Sequence, residues 1–255
     1  GAIGVEFASA LNDFGSNVTI VEALPQILIG CDKDIAKVVH RSFQKRGIDV
    51  RTGVLVQGHT PNTDGTTVLL NDGETIETDL VVVSVGRRPF PDLLDLEKAA
   101  ITKDERGFVP VNQNCETATP DIYAVGDLID TPQLAHVAFA EAILVIKRIC
   151  NEPVTPVDYT KVPWAIYCHP EVAFAGLSES EAREAGYEIE VSKHRYSGNG
   201  RAMIVGETDG LIKVIAEKLP DGDSGQILGV HMVGPWVTEQ IGQGYLAVNW
   251  EATVS

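Results

Sequence analysis

A carboxylate that follows a short apolar run is the first feature of this sequence that could do chemistry. Residues 122–125 are apolar and β-forming, and Gly126-Asp127 follows them directly. This pattern predicts a buried strand that ends at Gly126. Ligands of open α/β sheets bind at the carboxyl ends of strands, where an Asp suits hydrogen bonding to a ribose or polyol hydroxyl. A helix predicted over residues 134–150 would add backbone N–H groups. A simple cap at the entry of that helix is the alternative role for Asp127.

A glycine turn at the start of the chain is the second such feature. Gly1 and Gly4 match the last two glycines of a G-x-G-x-x-G fingerprint, and Glu22 closes a β-branched strand about 20 residues on. Gly1 would let the backbone approach a pyrophosphate, Gly4 would allow close helix–strand packing, and Glu22 would bind ribose hydroxyls. Because a carboxylate repels a 2′-phosphate, the pattern favours NAD over NADP. An ordinary helix start is the alternative for the two glycines.

The elements that must position these residues follow an α/β order first and an α+β order later. The first half alternates helix and strand, with a hairpin around Asn71-Asp72-Gly73 and a buried strand predicted over residues 80–85. After a proline-containing linker at residues 152–162, one strand, a helix with a capping box at Ser178, three strands and a last helix are predicted. The predicted helices are one from about residue 5 to near Gly15, 32–46, 93–98, 134–150, a short one ending at Gly186, and 238–249. The predicted strands include 18–22, 48–51, 66–70, 74–78, 188–194, 210–217 and 227–233.

Composition limits the classes of function. The net charge of −16 argues against nucleic acid and anionic membranes as partners, since both are polyanions. No apolar run reaches the roughly 18 residues that span a bilayer, and we expect no signal peptide ahead of Gly1. The four cysteines are widely spaced, which predicts reduced, mostly buried thiols in a cytoplasmic protein. The six histidines are dispersed, so we expect no metal site and no Ser/His/Asp catalytic cluster.

The segment around Asp127 resembles a family motif. Residues 117–127 read T-x-x-P-x-I-Y-A-x-G-D, and L-A-H follows at residues 134–136. This is similar to the second flavin-binding motif of the class I pyridine nucleotide-disulfide oxidoreductases, above all those that oxidise dihydrolipoamide. The resemblance, which covers essentially the whole chain, implies FAD and NAD as cofactors. It assigns the ribityl chain of FAD to Asp127 and the flavin contacts to Gln133, Leu134, Ala135 and His136.

The same resemblance implies further contacts to NAD. Glu6 would meet the nicotinamide carboxamide, although a first-turn Glu is also favoured by the helix dipole. Val54 would lie under the adenine, although a strand valine is commonly core. Gly86, in the segment G-R-R-P, would pack against the dinucleotide, although solvated linker charge is the alternative for the neighbouring Arg87 and Arg88.

The resemblance also implies an organisation into three parts. Residues 1–87 would be a partial Rossmann-type NAD-binding domain, residues 88–155 the returning part of an FAD-binding domain, and residues 156–255 an antiparallel-sheet interface domain that forms a homodimer. The implied activity is oxidation of dihydrolipoyl groups with NAD, and the implied partner is the lipoyl-bearing protein of a 2-oxoacid dehydrogenase complex. A related flavoenzyme of the NAD(P) transhydrogenase or mercuric reductase type is the alternative.

The catalytic groups of that family are missing from these residues. The sequence contains no C-x₄-C pair, and no H-P-T segment precedes Ser255. His169-Pro170 matches the start of the family's interface domain and not its catalytic histidine. We therefore expect a fragment that lacks the first FAD domain and the last catalytic segment. We assign no catalytic residue to it, and a non-catalytic NAD-binding and dimerisation module is the expectation for the chain by itself.

Overall fold

A computed structural model of the chain describes residues 1–220 and 222–254. The chain forms two compact units, one of Gly1–Val85 with Pro163–Ser255 and the other of Gly86–Val162. The units are described separately below. Their mixed content of helices, one parallel strand pair and antiparallel sheets confirms the predicted fold class.

The first unit begins with alternating helices and strands. Its first helix is stopped at Gly15, which has φ +89°, and its second is capped by Asp32, whose Oδ1 accepts the Asp34 N–H at 2.9 Å. The two strands that follow these helices pair in parallel, with Thr19 opposite Asp49, and a three-stranded antiparallel sheet comes next. The elements are α1 Ala2–Asp13, β1 Thr19–Glu22, α2 Lys33–Lys45, β2 Asp49–Thr52, β3 Val56–Asn62, β4 Gly65–Leu70 and β5 Thr75–Thr78.

The rest of the first unit is a five-stranded antiparallel sheet with helices. The capping box at Ser178 is present, as the sequence predicts. Its elements are β6 Trp164–Ile166, β7 Val172–Gly176, α4 Glu179–Glu184, β8 Ile189–Arg195, α5 Gly200–Val205, β9 Leu211–Lys218, β10 Ser224–Val233 and α6 Val237–Asn249. The strand order in the sheet is β6-β7-β10-β9-β8.

The two faces of this sheet bury different partners, because side chains alternate along each strand. Val172 and Phe174 of β7 share a core with the apolar face of α2, including Phe43. Ala173 and Ala175, from the same strand, pack with α6 on the other face. The α/β start of the chain is therefore held against the C-terminal sheet by a common hydrophobic core.

A buried ion cluster strengthens this junction. Lys213 on β9 is 1% exposed, and its Nζ lies 2.8 Å from one oxygen each of Asp32, Asp34 and Glu179. Asp32 caps α2, and Glu179 is the first residue of α4. One ammonium group thus joins the starts of two helices to the central part of the sheet.

The second unit contains one long helix and little other regular structure. The helix, α3, spans Ala135–Ile149, within one residue of the predicted bounds at each end. Short 3₁₀ turns occur at Leu96–Ala99 and Gly126–Leu128, the first of them in place of the helix predicted over residues 93–98. Ile129, Leu144 and Val145 centre a separate core, against which residues of the expected linker, Val154 and Val157, are packed.

Two predicted strands are wrong. Residues 80–85 form no strand and are largely exposed, with Leu80 at 68% and Val85 at 92%. No strand among the described residues pairs with them, and backbone pairing, not side-chain type, defines a strand. Residues 122–125 make one bridge, between Tyr123 and Glu116, because the segment folds back on its own preceding turn. The sequence also did not indicate β3, α5 or the separation of β6 from β7.

Within the described part of the chain, no helix is both long and apolar enough to cross a bilayer.

Candidate functional site

The carboxyl edge of the parallel strand pair brings three predicted NAD residues together. Glu22 is the last residue of β1, and its backbone oxygen accepts the Val54 N–H at 3.1 Å, just beyond β2. Its side chain reaches α1, so that Oε2 lies 3.3 Å from the Gly1 nitrogen. Oε1 accepts the Leu24 N–H at 3.1 Å. Gly1, Glu22 and Val54 therefore border one site at the strand ends, the place where open α/β sheets bind ligands.

The geometry of Glu22 leaves it able to bind hydroxyl groups. Each carboxylate oxygen accepts one hydrogen bond inside the protein, and a carboxylate has about four acceptor positions. The side chain is 18% exposed, so the remaining positions can be reached from solvent.

The two glycines of the first turn have different surroundings. A Cβ built on Gly1, the N-cap of α1, would meet no heavy atom of the described residues within 4 Å. A Cβ on Gly4 would lie 2.7 Å from Ser84 Oγ. Ser84 belongs to the irregular segment 80–85, so Gly4 allows α1 to approach this segment closely.

Glu6 is oriented by the C-terminal part of the same unit. Its Oε1 accepts the backbone N–H of Tyr167 at 2.8 Å, just after β6. One turn along α1, Ser9 Oγ accepts the His169 N–H at 2.9 Å and a hydrogen bond from Arg46. The helix that carries Gly1, Gly4 and Glu6 is thereby fixed to residues 167–169. Among the described residues, Glu6 Oε2 has no hydrogen-bond partner.

The predicted flavin residues lie in the second unit, at a tight loop before α3. Gly126 takes φ +68°, which favours glycine, and Asp127 follows it in the 3₁₀ turn. The Asp127 carboxylate forms an ion pair with Arg87 through Oδ2, and both side chains are about half exposed. Asp127 Oδ1 has no partner among the described residues. Arg87 is therefore more than a solvated linker charge, since it pairs with the proposed ribityl ligand Asp127.

The residues at the N-terminus of α3 follow the Asp127 loop. Leu134 is the N-cap in extended conformation and makes no side-chain cap. Gln133 is half-buried, and its Nε2 is a buried donor without a partner in the described structure. Ala135 and His136 are exposed on the first turn. Gly86, also in this unit, has φ +123° with open space around its Cβ position.

Glu141 is the residue of this region that sequence reasoning missed. It lies on α3 with 0% exposure, and its two oxygens accept three hydrogen bonds. The donors are Gly126 N–H at 2.6 Å, Thr131 Oγ1 at 2.8 Å and Tyr159 Oη at 3.1 Å. The signal that could have indicated it is that Glu141 is the one charged residue in the apolar run 137–146.

The thiols and acidic clusters offer no further chemistry. Cys31, Cys115 and Cys168 are buried and Cys150 is exposed, all four free. Burial raises the pKa of the Cys31 thiol to about 12, which makes it a poor nucleophile. Over the residues that the structure describes, no group of His, Cys, Asp and Glu has the arrangement of a metal site.

A strand-end carboxylate beside a helix N-terminus, in a parallel strand pair, is the arrangement of dinucleotide-binding α/β proteins. The chain belongs to the pyridine nucleotide-disulphide oxidoreductase family. Residues 1–142 match the model of that family, and residues 162–255 match its dimerisation domain. The family resemblance read from the motif around Asp127 is thereby confirmed.

Dihydrolipoyl dehydrogenases are among its curated relatives. The chain is 40% identical to that of Thermus scotoductus, with 100% of this chain and 55% of the relative covered. It is 36% identical to that of Geobacillus stearothermophilus, with 98% and 53% covered, and 38% identical to the mitochondrial one of Canis lupus familiaris, with 99% and 50% covered. The chain thus spans about half the length of these relatives.

Two solved structures share the fold. The crystal structure of LpdA from Mycobacterium tuberculosis matches with a TM-score of 0.91 and 26% identity, covering 100% of this chain and 55% of that one. The HOCl-induced flavoprotein disulfide reductase RclA from Escherichia coli matches with a TM-score of 0.90 and 27% identity, covering 98% of this chain and 57% of that one.

Proposed function

We propose that the protein to which this chain belongs is an FAD-containing oxidoreductase that oxidises dihydrolipoyl groups with NAD. The observation that carries this proposal is the identity of 36–40% to dihydrolipoyl dehydrogenases over at least 98% of the chain. In the overall reaction, a dithiol gives up two electrons and two protons and becomes a disulfide, while NAD⁺ becomes NADH and one proton is released. These curated matches favour this activity over a transhydrogenase or mercuric reductase.

The NAD contacts are assigned to the first unit. Glu22 binds the adenosine ribose, and Gly1, as the N-cap of α1, admits the pyrophosphate to the N-terminus of that helix. Gly4 permits close packing of that helix, and Val54 lies beside the adenine. Glu6 binds the nicotinamide carboxamide through the oxygen that Tyr167 leaves free.

The FAD contacts are assigned to the second unit. Asp127 binds the ribityl hydroxyls through its unpartnered Oδ1. The unpartnered Nε2 of Gln133 is an additional donor beside the flavin. Gly86 is assigned to NAD and not to FAD, as a backbone position that packs against that dinucleotide. FAD supplies, when bound, the two-electron chemistry that connects a thiol pair to NAD. The remaining flavin contacts are assigned to Leu134, Ala135 and His136.

The protein's organisation is also part of the proposal. We assign residues 1–87 to NAD binding, residues 88–155 to the FAD-binding domain and residues 156–255 to an interface domain that forms a homodimer. The match of residues 162–255 to a dimerisation domain supports the last assignment. We propose a lipoyl-bearing protein of a 2-oxoacid dehydrogenase complex as partner and the cytoplasm as location. Because these 255 residues contain no C-x₄-C pair, the chain by itself is a non-catalytic module.

The test is a coupled assay on the longest natural form of the protein. Purified protein should carry flavin absorbance and form NADH from dihydrolipoamide and NAD, whereas the 255-residue chain alone should form none. The absence of flavin, or turnover by the isolated chain, would contradict the proposal.

Nucleotide preference gives a sharper test of the NAD site. The Glu22→Gln variant has nearly the same shape and keeps one acceptor oxygen, but it loses the charge that repels a 2′-phosphate. We expect its NAD affinity to fall and its discrimination against NADP to narrow by roughly tenfold, or about 1.4 kcal/mol. Glu77→Gln, on β5 away from this edge, is the matched control. If Glu22→Gln discriminates between NAD and NADP as well as the wild type does, Glu22 does not contact the ribose.

A further inference from the structure

One buried carboxylate joins both ends of the loop that carries Asp127. Glu141 Oε2 accepts the N–H of Gly126, the residue directly before Asp127, and Oε1 accepts the hydroxyl of Thr131 at the other end of the loop. Tyr159, from the segment after α3, donates to the same Oε1. The loop therefore has its two ends attached to a single side chain of a stable helix.

The surroundings show that Glu141 is held as an acceptor of these hydrogen bonds. The side chain is fully buried, and its charge helps to raise the pKa values of two neighbours. Burial raises the pKa of the Cys115 thiol to about 11, and the negative charge of Glu141 adds to that rise. The pKa of Tyr159 is raised by burial and by the same charge, so this phenol stays protonated and donates. A buried carboxylate needs such donors to offset its lost hydration.

We propose that Glu141 is the positioning residue for Asp127 in FAD binding, an inference that rests on the proposed function. The Gly126 N–H bond fixes the backbone one residue before Asp127, where Gly126 is already in the left-handed region. Without that acceptor, the loop would exchange between positions, and only a fraction of molecules would present Asp127 correctly. Binding weakens in proportion to that fraction.

The chemistry of the three donors predicts which substitution of Glu141 preserves FAD binding. The two hydroxyl groups can accept as well as donate, but the Gly126 N–H can only donate. In Glu141→Gln, the amide oxygen can bond to Gly126 while the amide nitrogen faces Thr131 and Tyr159. Glu141→Met has a similar length and no comparable acceptor. Glutamine should therefore keep most of the positioning, and methionine should lose it.

The experiment measures FAD affinity of the apoprotein, in its longest natural form, by flavin fluorescence titration together with thermal unfolding. We expect Glu141→Met to raise the Kd for FAD at least about tenfold, or about 1.4 kcal/mol, and Glu141→Gln to raise it less than about threefold. Glu116→Met is the matched control, because this acid of the same unit binds Asn112 and Arg148 outside the loop. Its Kd should stay unchanged.

A double-mutant cycle with Asp127→Asn separates positioning from a general loss of stability. If Glu141 acts through Asp127, Glu141→Met should raise the Kd less than about twofold in the Asp127→Asn background. An equal rise in both backgrounds, or none in protein that remains folded, would overturn this inference while the role of Asp127 stands. If Asp127→Asn itself leaves the Kd unchanged, the proposed role of Asp127 fails and the inference fails with it.

Discussion

Removal of Lys213 should be among the most destabilising single substitutions in the first unit. The Lys213→Met variant keeps the aliphatic volume on β9 and deletes the ammonium group that faces Asp32, Asp34 and Glu179. Asp32 is 3% exposed, so it would stay buried without its cation and beside two further carboxylates. Breaking a buried pair by removing one partner costs about 3–5 kcal/mol. For a protein of this size, that is a fall in Tm of roughly 6–20 °C.

Lys193 provides the matched control. It pairs with the same Asp34 at 2.7 Å, but its own side chain is 46% exposed. The Lys193→Met variant should lose no more than about 1 kcal/mol, since exposed pairs contribute little. Both variants are compared by urea unfolding at pH 7. Equal and small losses would refute the reasoning, because burial of Asp32 and Lys213 is what distinguishes the two sites.

The acid limb of the stability curve tests the same cluster independently. Burial alone would raise the pKa of Asp34, but hydrogen bonds from Lys193 and Lys213 lower it from 3.8 to about 2. The pKa of Asp32 is also below its ordinary value, because bonds from Lys213 outweigh burial. A carboxyl group whose pKa is lower in the folded than in the unfolded state stabilises the fold at pH values above its unfolded-state pKa. This contribution is lost as the pH falls toward the folded-state pKa. Wild-type stability should therefore drop between about pH 4 and pH 2. The difference in the free energy of unfolding between the wild type and Lys213→Met should narrow over that pH range.

Three further substitutions test other parts of the first unit. Burial lowers the pKa of His231 below 6.5, so the folded state favours the neutral imidazole and loses stability as the pH falls below 6.5. The His231→Phe variant lacks this titration, so its urea midpoint should depend less on pH in that range. A steep dependence in this variant would contradict that role. Gly229→Ala would place a Cβ 2.0 Å from the Leu177 carbonyl oxygen and should lower the free energy of unfolding by roughly 3 kcal/mol. Gly30→Ala is the control, because its Cβ would lie in open space and should change the free energy of unfolding little. Ser178→Ala removes the capping box of α4 and should cost about 1 kcal/mol by thermal melting; an unchanged Tm would argue against that cap.

Local signals predicted much of the fold. Helix α2 was indicated by Asp32 at its start, apolar residues at helical spacing and Gly47 at its end, and its observed bounds lie within one residue of the prediction at each end. The same holds for α3 and for the β4–β5 hairpin around Gly73. These elements are set by interactions between residues close in sequence, which a single chain displays directly.

The ionic contacts could not be predicted in the same way. Lys213 and Asp32 are separated by 181 positions, and Arg87 and Asp127 by 40. In the sequence, Lys213 and Arg87 look like ordinary surface charges. Only the fold decides that Lys213 is enclosed by three acids or that Arg87 meets the proposed flavin ligand. Glu141 differs, because its position in the apolar run 137–146 was a readable local conflict.

The two incorrect strands have a common physical cause. Residues 80–85 and 122–125 both carry the apolar, β-branched composition of buried strands, yet neither takes part in a sheet of the described residues. Composition reports that a segment would be stable if a neighbour paired with its backbone and covered its side chains. It does not report that the neighbour is there. The apolar segment of β7, with Val172 as its one β-branched residue, does become a strand, because β6 and β10 pair with it on both sides. A strand can therefore be predicted only together with the segment that pairs with it. The signals for helix α2, in contrast, all lie within the helix segment itself.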